Sequence, residues 1–268
     1  MSFVRALGSV HFAELLDAPR VGAAPGPALL LVHSLATSHR IWDGFIAALG
    51  WRGPVLRYDL RGHGLSEIGE CPYSVASLQR DASALLDAHG IESVVVCGLS
   101  VGGLIAQELA LSEPRVRGAV LCGTASRIGT LEGWQSRVAM VRAGGVAAVS
   151  EAVLPRWFGA PFRASHPDVV RGYRCLLERT PADGYVAMLE ALAGADLSAR
   201  LPSLRMPALV VSGELDEVTT PADGRALAER IPAARFELLA GASHLLSVEK
   251  PRELAALVRA FVEEHSLG

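Results

Sequence analysis

The stretch that most limits what this chain can become is Val94-Val95-Val96-Cys97-Gly98-Leu99-Ser100-Val101-Gly102-Gly103-Leu104-Ile105-Ala106. Its first four residues read as a short buried strand, and its last residues as the first turn of an apolar helix. Between them lies Gly-x-Ser-x-Gly. The three fixed letters occur by accident in many chains, but a strand before and a helix after turn them into a sharp strand-to-helix elbow. Such a turn leaves no room for side chains at Gly98 and Gly102. It presents the Ser100 hydroxyl at the end of a sheet, where a nucleophile is usable.

The rest of the chain repeats the strand–helix alternation that the elbow requires. Strands are expected at 28–32, 55–58, 93–97, 116–122, 208–212 and 235–239, with helices at 42–49, 75–88, 101–111, 221–230 and 251–264. Ser74 is a natural N-cap, and Pro221 and Pro251 each suit a first helical turn. Residues 4–7 and 10–15 read as an antiparallel lead-in hairpin, and 22–27 as a Gly/Pro loop. The alternation predicts a mostly parallel twisted sheet with helices on both faces. It breaks between 126 and 200, where Trp134, Met140, Trp157, Phe158, Tyr173, Tyr185 and Met188 sit on helical-looking segments separated by Pro155, Pro161, Pro167 and Pro181. That stretch is expected to be a helical cap inserted into a core formed by residues 1–125 and 201–268. It would lie over the carboxyl ends of the strands, where open α/β sheets bind ligands.

A serine needs a base, and the base needs an orienting acid. His244, in Gly241-Ala242-Ser243-His244, follows the last expected strand. Asp216, in Ser212-Gly213-Glu214-Leu215-Asp216, follows the strand before it. Glu214 and Glu217 are the alternative acids. The order Ser, Asp, His with each residue at its own strand end is the α/β-hydrolase order. An acyl-transfer site also needs two oxyanion donors. The N–H of Val101 follows the nucleophile directly, and the N–H of Leu35 lies in the loop after strand 28–32. His33 and Ser34 share that loop and are candidate substrate-lining residues. His63, in Arg61-Gly62-His63-Gly64, reads as a structural histidine satisfied within its loop.

Composition excludes several other classes. A net charge of −3 gives no reason to expect nucleic acid or an anionic membrane as partner, and no apolar run reaches membrane-spanning length. The N-terminus has no basic segment followed by a long apolar one, so a cytoplasmic protein is expected. The four cysteines, Cys71, Cys97, Cys122 and Cys175, have no metal-ligand spacing and read as free thiols. No metal and no organic cofactor is expected. A small-molecule substrate is the expected partner, with the oligomeric state left open.

With these residues in place, the chain resembles the α/β-hydrolase family over nearly its whole length. Within it the chain is similar to the 3-oxoadipate enol-lactonases of aromatic catabolism. The narrower likeness rests on residues 55–66, on Cys97-Gly98-Leu99-Ser100, on 121–129, on Trp134 with Arg137, on Val153-Leu154-Pro155-Arg156-Trp157-Phe158 and on 219–225. The chain departs from that pattern at His33-Ser34-Leu35-Ala36, where Asn-Ser-Leu-Gly is usual, and at Val101, where Met is usual. The resemblance implies Ser100 attack on a lactone carbonyl with loss of an enolate. It also implies a substrate carboxylate held by Arg137 and Trp134, with Arg142 a weaker candidate. Carboxylester or carbon–carbon bond hydrolysis would use the same triad, and a ligand-binding scaffold without turnover is the reading from another class. Haloalkane dehalogenation is disfavoured, because the elbow carries serine and not aspartate.

Overall fold

The computed structural model describes residues 2–16 and 26–267; most of the 22–27 stretch expected to be a loop lies outside them. Eight strands form one sheet: β1 (Ser2–Ala6), β2 (Ser9–Leu16), β3 (Ala28–Val32), β4 (Val55–Tyr58), β5 (Val94–Leu99), β6 (Val116–Cys122), β7 (Ala208–Gly213) and β8 (Ala234–Leu239). Their spatial order is β1-β2-β4-β3-β5-β6-β7-β8. The first two strands pair antiparallel and β2 meets β4 antiparallel; from β4 onward every pairing is parallel. The central strands β3, β5 and β7 are buried along their whole length, as strands covered on both faces must be.

The covering helices are α1 (Asp43–Leu49), α2 (Val75–Ala88), α3 (Val101–Ser112), α9 (Pro221–Arg230) and α11 (Pro251–Glu264). Ser74 caps α2 as expected, accepting from the Ser77 N–H, while Ser77 answers with its own hydroxyl. The helix expected at 42–49 begins one turn earlier as a 3-10 segment, His39–Trp42. Five more helices stand between β6 and β7: α4 (Leu131–Gly144), α5 (Ala147–Trp157), α6 (Ala160–Ser165), α7 (Pro167–Glu178) and α8 (Ala182–Ala193). Pro161, Pro167 and Pro181 fall at helix starts, but Pro155 lies inside α5. A short helix unmarked in the sequence, α10 (Leu246–Glu249), fills the gap before α11.

The strand order reverses between β3 and β5, since β3 has β4 on one side and β5 on the other. Crevices at such a switch point are where α/β sheets hold ligands. Val32 of β3 pairs with Gly98 of β5, so the loops leaving these two strands run side by side. One carries Leu35 and the other Ser100.

Candidate active site

Ser100 sits at φ +61°, ψ −118°, immediately ahead of α3. A non-glycine residue there stores roughly 1–3 kcal/mol of backbone strain. The strain is held because the turn has no slack. A Cβ on Gly98 would come within 2.1 Å of the Gly102 carbonyl oxygen, and a Cβ on Gly102 within 2.3 Å of the Val32 oxygen. The Ser100 N–H donates to the Cys122 carbonyl at 3.0 Å, and the Thr124 hydroxyl donates to the Ser100 carbonyl at 2.8 Å. The elbow is therefore pinned by the end of β6 and the loop that follows it. Val101 opens α3, and first-turn N–H groups have no partner within their own helix.

His244 and Asp216 meet across the loops that follow β8 and β7. The His244 Nδ1–H donates to Asp216 Oδ2 at 2.8 Å, and both side chains are buried. Asp216 has three further donors. Its Oδ1 accepts the N–H groups of Val218 at 2.7 Å and Thr219 at 3.0 Å, and its Oδ2 accepts the Thr219 hydroxyl at 2.9 Å. Burial alone would push the Asp216 carboxyl up. The His244 side chain and the Thr219 and Val218 N–H groups outweigh burial and hold it below the usual carboxylate value. Glu214, the alternative acid, turns away to accept the Gly241 N–H at 2.8 Å.

Ser100 and His244 line one cavity of about 30 Å³, walled by Ser34, Leu35, Ile128, Trp134, Arg137, Val153, Arg156, Trp157, Leu192 and Val218. A second chamber of about 100 Å³ adjoins it and shares Ile128, Trp134, Arg137, Arg156 and Val218. The strand-end loops supply the serine, the histidine and Leu35, and α4, α5 and α8 supply the wall facing them. Two arginines face this space, and among the described residues lining either chamber there is no carboxylate.

The candidate substrate residues divide. Ser34 and Arg137 line the cavity. Trp134 lines it with its ring, but its indole N–H is taken by the Ile128 carbonyl at 2.7 Å. It is a platform, with the Arg137 guanidinium 5.2 Å from its ring centre, and not a donor to a carboxylate. Arg142 points elsewhere and pairs with Glu190 at 2.8 Å on the exposed face of α4. Arg156, unassigned from the sequence, belongs to the cavity. Its signal was the helical spacing Val153, Arg156, Trp157, which puts all three on one face of α5.

His33 does not line the cavity, which corrects the expectation of a substrate-lining role. It is fully buried; its Nε2 accepts the Leu60 N–H at 2.9 Å and its Nδ1–H faces the Ser34 carbonyl at 2.8 Å. It ties the loop after β4 to the loop carrying Leu35. Its ring lies 5.5 Å from that of His63, whose Nδ1 meets the Arg61 carbonyl at 2.9 Å but whose Nε2 is buried without a protein partner. His63 is thus satisfied on one side only.

Burial, with His63 adding to it, pushes His33 down to about 3; burial, with Arg61 adding to it, pushes His11 down to about 4; burial also lowers His63. His33 and His11 stay neutral in the fold down to those values while the unfolded chain protonates them below about pH 6.5. Their stabilisation is complete above pH 6.5 and is lost as pH falls. Asp81 acts oppositely, because burial raises it to about 6 and its proton favours the fold below that pH. The net expectation is falling stability from pH 6.5 to 4, with each histidine contributing up to about 1.4 kcal/mol per pH unit. Urea unfolding across this range should show a shallower slope for His33→Asn; equal slopes would remove His33 from the account.

The comparisons with known proteins bear on this geometry. Residues 27–251 match the family described as alpha/beta hydrolase fold. The chain belongs to that family. It is 36% identical over 261 residues to 3-oxoadipate enol-lactonase 2 of Acinetobacter baylyi, covering 94% of this chain and 97% of that protein. Among solved structures, the enol-lactonase from Burkholderia xenovorans LB400 superposes with a TM-score of 0.93 at 37% identity, covering 98% of this chain and all of that one. A thermophilic esterase from Thermogutta terrifontis, solved with malate bound, superposes with a TM-score of 0.88 at 26% identity, covering 98% of this chain and 97% of that one. This member of the alpha/beta hydrolase family is an ester-hydrolysing enzyme. Among the described residues no helix is long and apolar enough to cross a membrane, and no cluster of His, Cys, Asp or Glu could hold a metal ion.

Proposed function

We propose that this hydrolase opens a small, carboxylate-bearing enol-lactone of the 3-oxoadipate type, a step of aromatic catabolism. In this reading residues 126–200 act as the cap over a core of 1–125 and 201–268. Ser100 attacks the lactone carbonyl as His244 takes its proton, and Asp216 holds the imidazole in the tautomer whose Nε2 accepts. The oxyanion is received by the Val101 and Leu35 N–H groups. Collapse breaks the acyl carbon–oxygen bond of the ring, and the departing enolate takes a proton to become a ketone. Water, deprotonated by His244, then attacks the acyl-serine and frees the second carboxylate. No cofactor takes part in these steps.

The observation that carries the substrate class is the pair Arg137 and Arg156 beside Ser100 with no lining carboxylate. Guanidinium forks match carboxylate geometry, and two of them favour an anion over a neutral ester. The small chambers favour a compact substrate over a long acyl chain. The likeness to two enol-lactonases, and to an esterase solved with a small dicarboxylate bound, supports the same class.

The test is hydrolysis of 3-oxoadipate enol-lactone beside p-nitrophenyl acetate. The lactone is expected to be much the better substrate by kcat/KM. Arg137→Ala should lower the lactone-to-acetate ratio by about 10–100-fold, the range of a lost hydrogen bond to a charged group. An inert lactone with fast acetate turnover would discard the lactone and retain the serine chemistry.

A further inference from the structure

One buried carboxylate near the site has no part in the chemistry above. Glu249 ends α10, five residues after His244, and its side chain is turned inward. Its Oε2 accepts the N–H of Ser243, the residue before His244, and its Oε1 accepts the N–H of Gly159 at 2.7 Å. Gly159 follows α5 two residues beyond Trp157, which walls the cavity. On the other side of His244, the Leu245 N–H donates to the Trp157 carbonyl at 3.0 Å. The Ser243 hydroxyl reaches the Arg156 carbonyl at 3.4 Å. His244 is therefore flanked by two residues that are both tied to the same stretch, 156–159.

We propose that Glu249 is a positioning residue, whose carboxylate fixes the His244 loop against the end of α5 so that the base and the cavity wall keep one register. The inference rests on the reading of His244 as the base. The chemical reason for a carboxylate is its two equivalent acceptor oxygens. Each receives one N–H, and the two N–H groups come from segments about 84 residues apart in the chain. An amide of the same shape has one acceptor and would set its NH2 against the other N–H. Buried carboxylates are costly unless hydrogen-bonded in this way. Burial raises the Glu249 carboxyl; the Ser243 and Gly159 N–H groups pull it back, Asp216 pushes it up and Lys250 pulls it down.

The experiment compares wild type, Glu249→Gln and Glu249→Ala with a Ser100→Ala control. It measures p-nitrophenyl acetate hydrolysis and the rate at which a fluorophosphonate labels the elbow serine, with folding checked by circular dichroism and active-site titration. Glu249→Gln is expected to remain folded at 25 °C and to lose about tenfold in kcat per titrated site, with KM within about twofold and labelling slowed in proportion. A wild-type kcat per titrated site in Glu249→Gln, or a change in KM alone, would overturn the proposal. If Ser100→Ala keeps its ester activity, the catalytic reading itself fails, and that outcome is read separately from the Glu249 variants.

Discussion

Replacing Ser100 by alanine is expected to reduce lactone and ester hydrolysis by at least about 10⁴-fold, the scale on which serine hydrolases lose kcat when the nucleophile goes. The loss should fall on kcat, because the walls that hold the substrate are untouched. The fold should survive, since Ser100 is pinned through its own main chain, by the Cys122 carbonyl and the Thr124 hydroxyl, and alanine keeps both bonds. A companion variant separates chemistry from strain. Alanine still suffers at φ +61°, whereas glycine adopts that backbone freely. Ser100→Gly should therefore be equally inactive yet more stable than Ser100→Ala by roughly 1 kcal/mol. Steady-state kinetics and thermal unfolding of the three proteins decide it. Activity within tenfold of wild type in either variant would remove Ser100 from the mechanism.

What could be read in the chain follows from what is local. The β4 and β6 boundaries, the Ser74 cap and the proline starts of α9 and α11 depend on neighbours in sequence, and the structure places them where the pattern does. The strand-end positions of Ser100, Asp216 and His244 depend only on counting strands. The His33 reading went astray for a nonlocal reason. Its two ring nitrogens are occupied by Ser34, next to it, and by Leu60, 27 residues on, and only the second contact turns the ring away from the cavity. Trp134 lines the cavity, yet its donor is spent on Ile128. Arg156 and Glu249 show the same limit. One is an arginine in a helix between an exposed proline and a buried tryptophan, the other a glutamate in a stretch with no helical period. Their meaning comes from the loops they face, Glu217 and Val218 for the first and Gly159 and Ser243 for the second.

Asp216→Asn is expected to lower kcat by about 10⁴-fold while leaving the fold nearly intact, the size of effect produced when a triad carboxylate becomes an amide. The reason lies in the donors around it. All four contacts of Asp216 point hydrogens at its oxygens: two backbone N–H groups at Oδ1, and the Thr219 hydroxyl and His244 Nδ1–H at Oδ2. An asparagine has one oxygen to offer. Turning the NH2 toward Oδ1's place would set it against two fixed N–H groups of Val218 and Thr219, which cannot move without unwinding the loop. The amide will therefore keep its oxygen there and turn its NH2 toward His244. The Thr219 hydroxyl can rotate and accept. His244 cannot keep Nδ1–H against a donor, so its proton shifts to Nε2, the nitrogen that must accept from Ser100. The imidazole then occupies the right place in the wrong tautomer. Two measurements separate this account from simple disruption: KM and the unfolding midpoint should stay close to wild type while kcat collapses, and fluorophosphonate labelling of Ser100 should slow in step with kcat. Labelling at the wild-type rate would show that Ser100 is activated without Asp216, and the acid would have to be sought elsewhere.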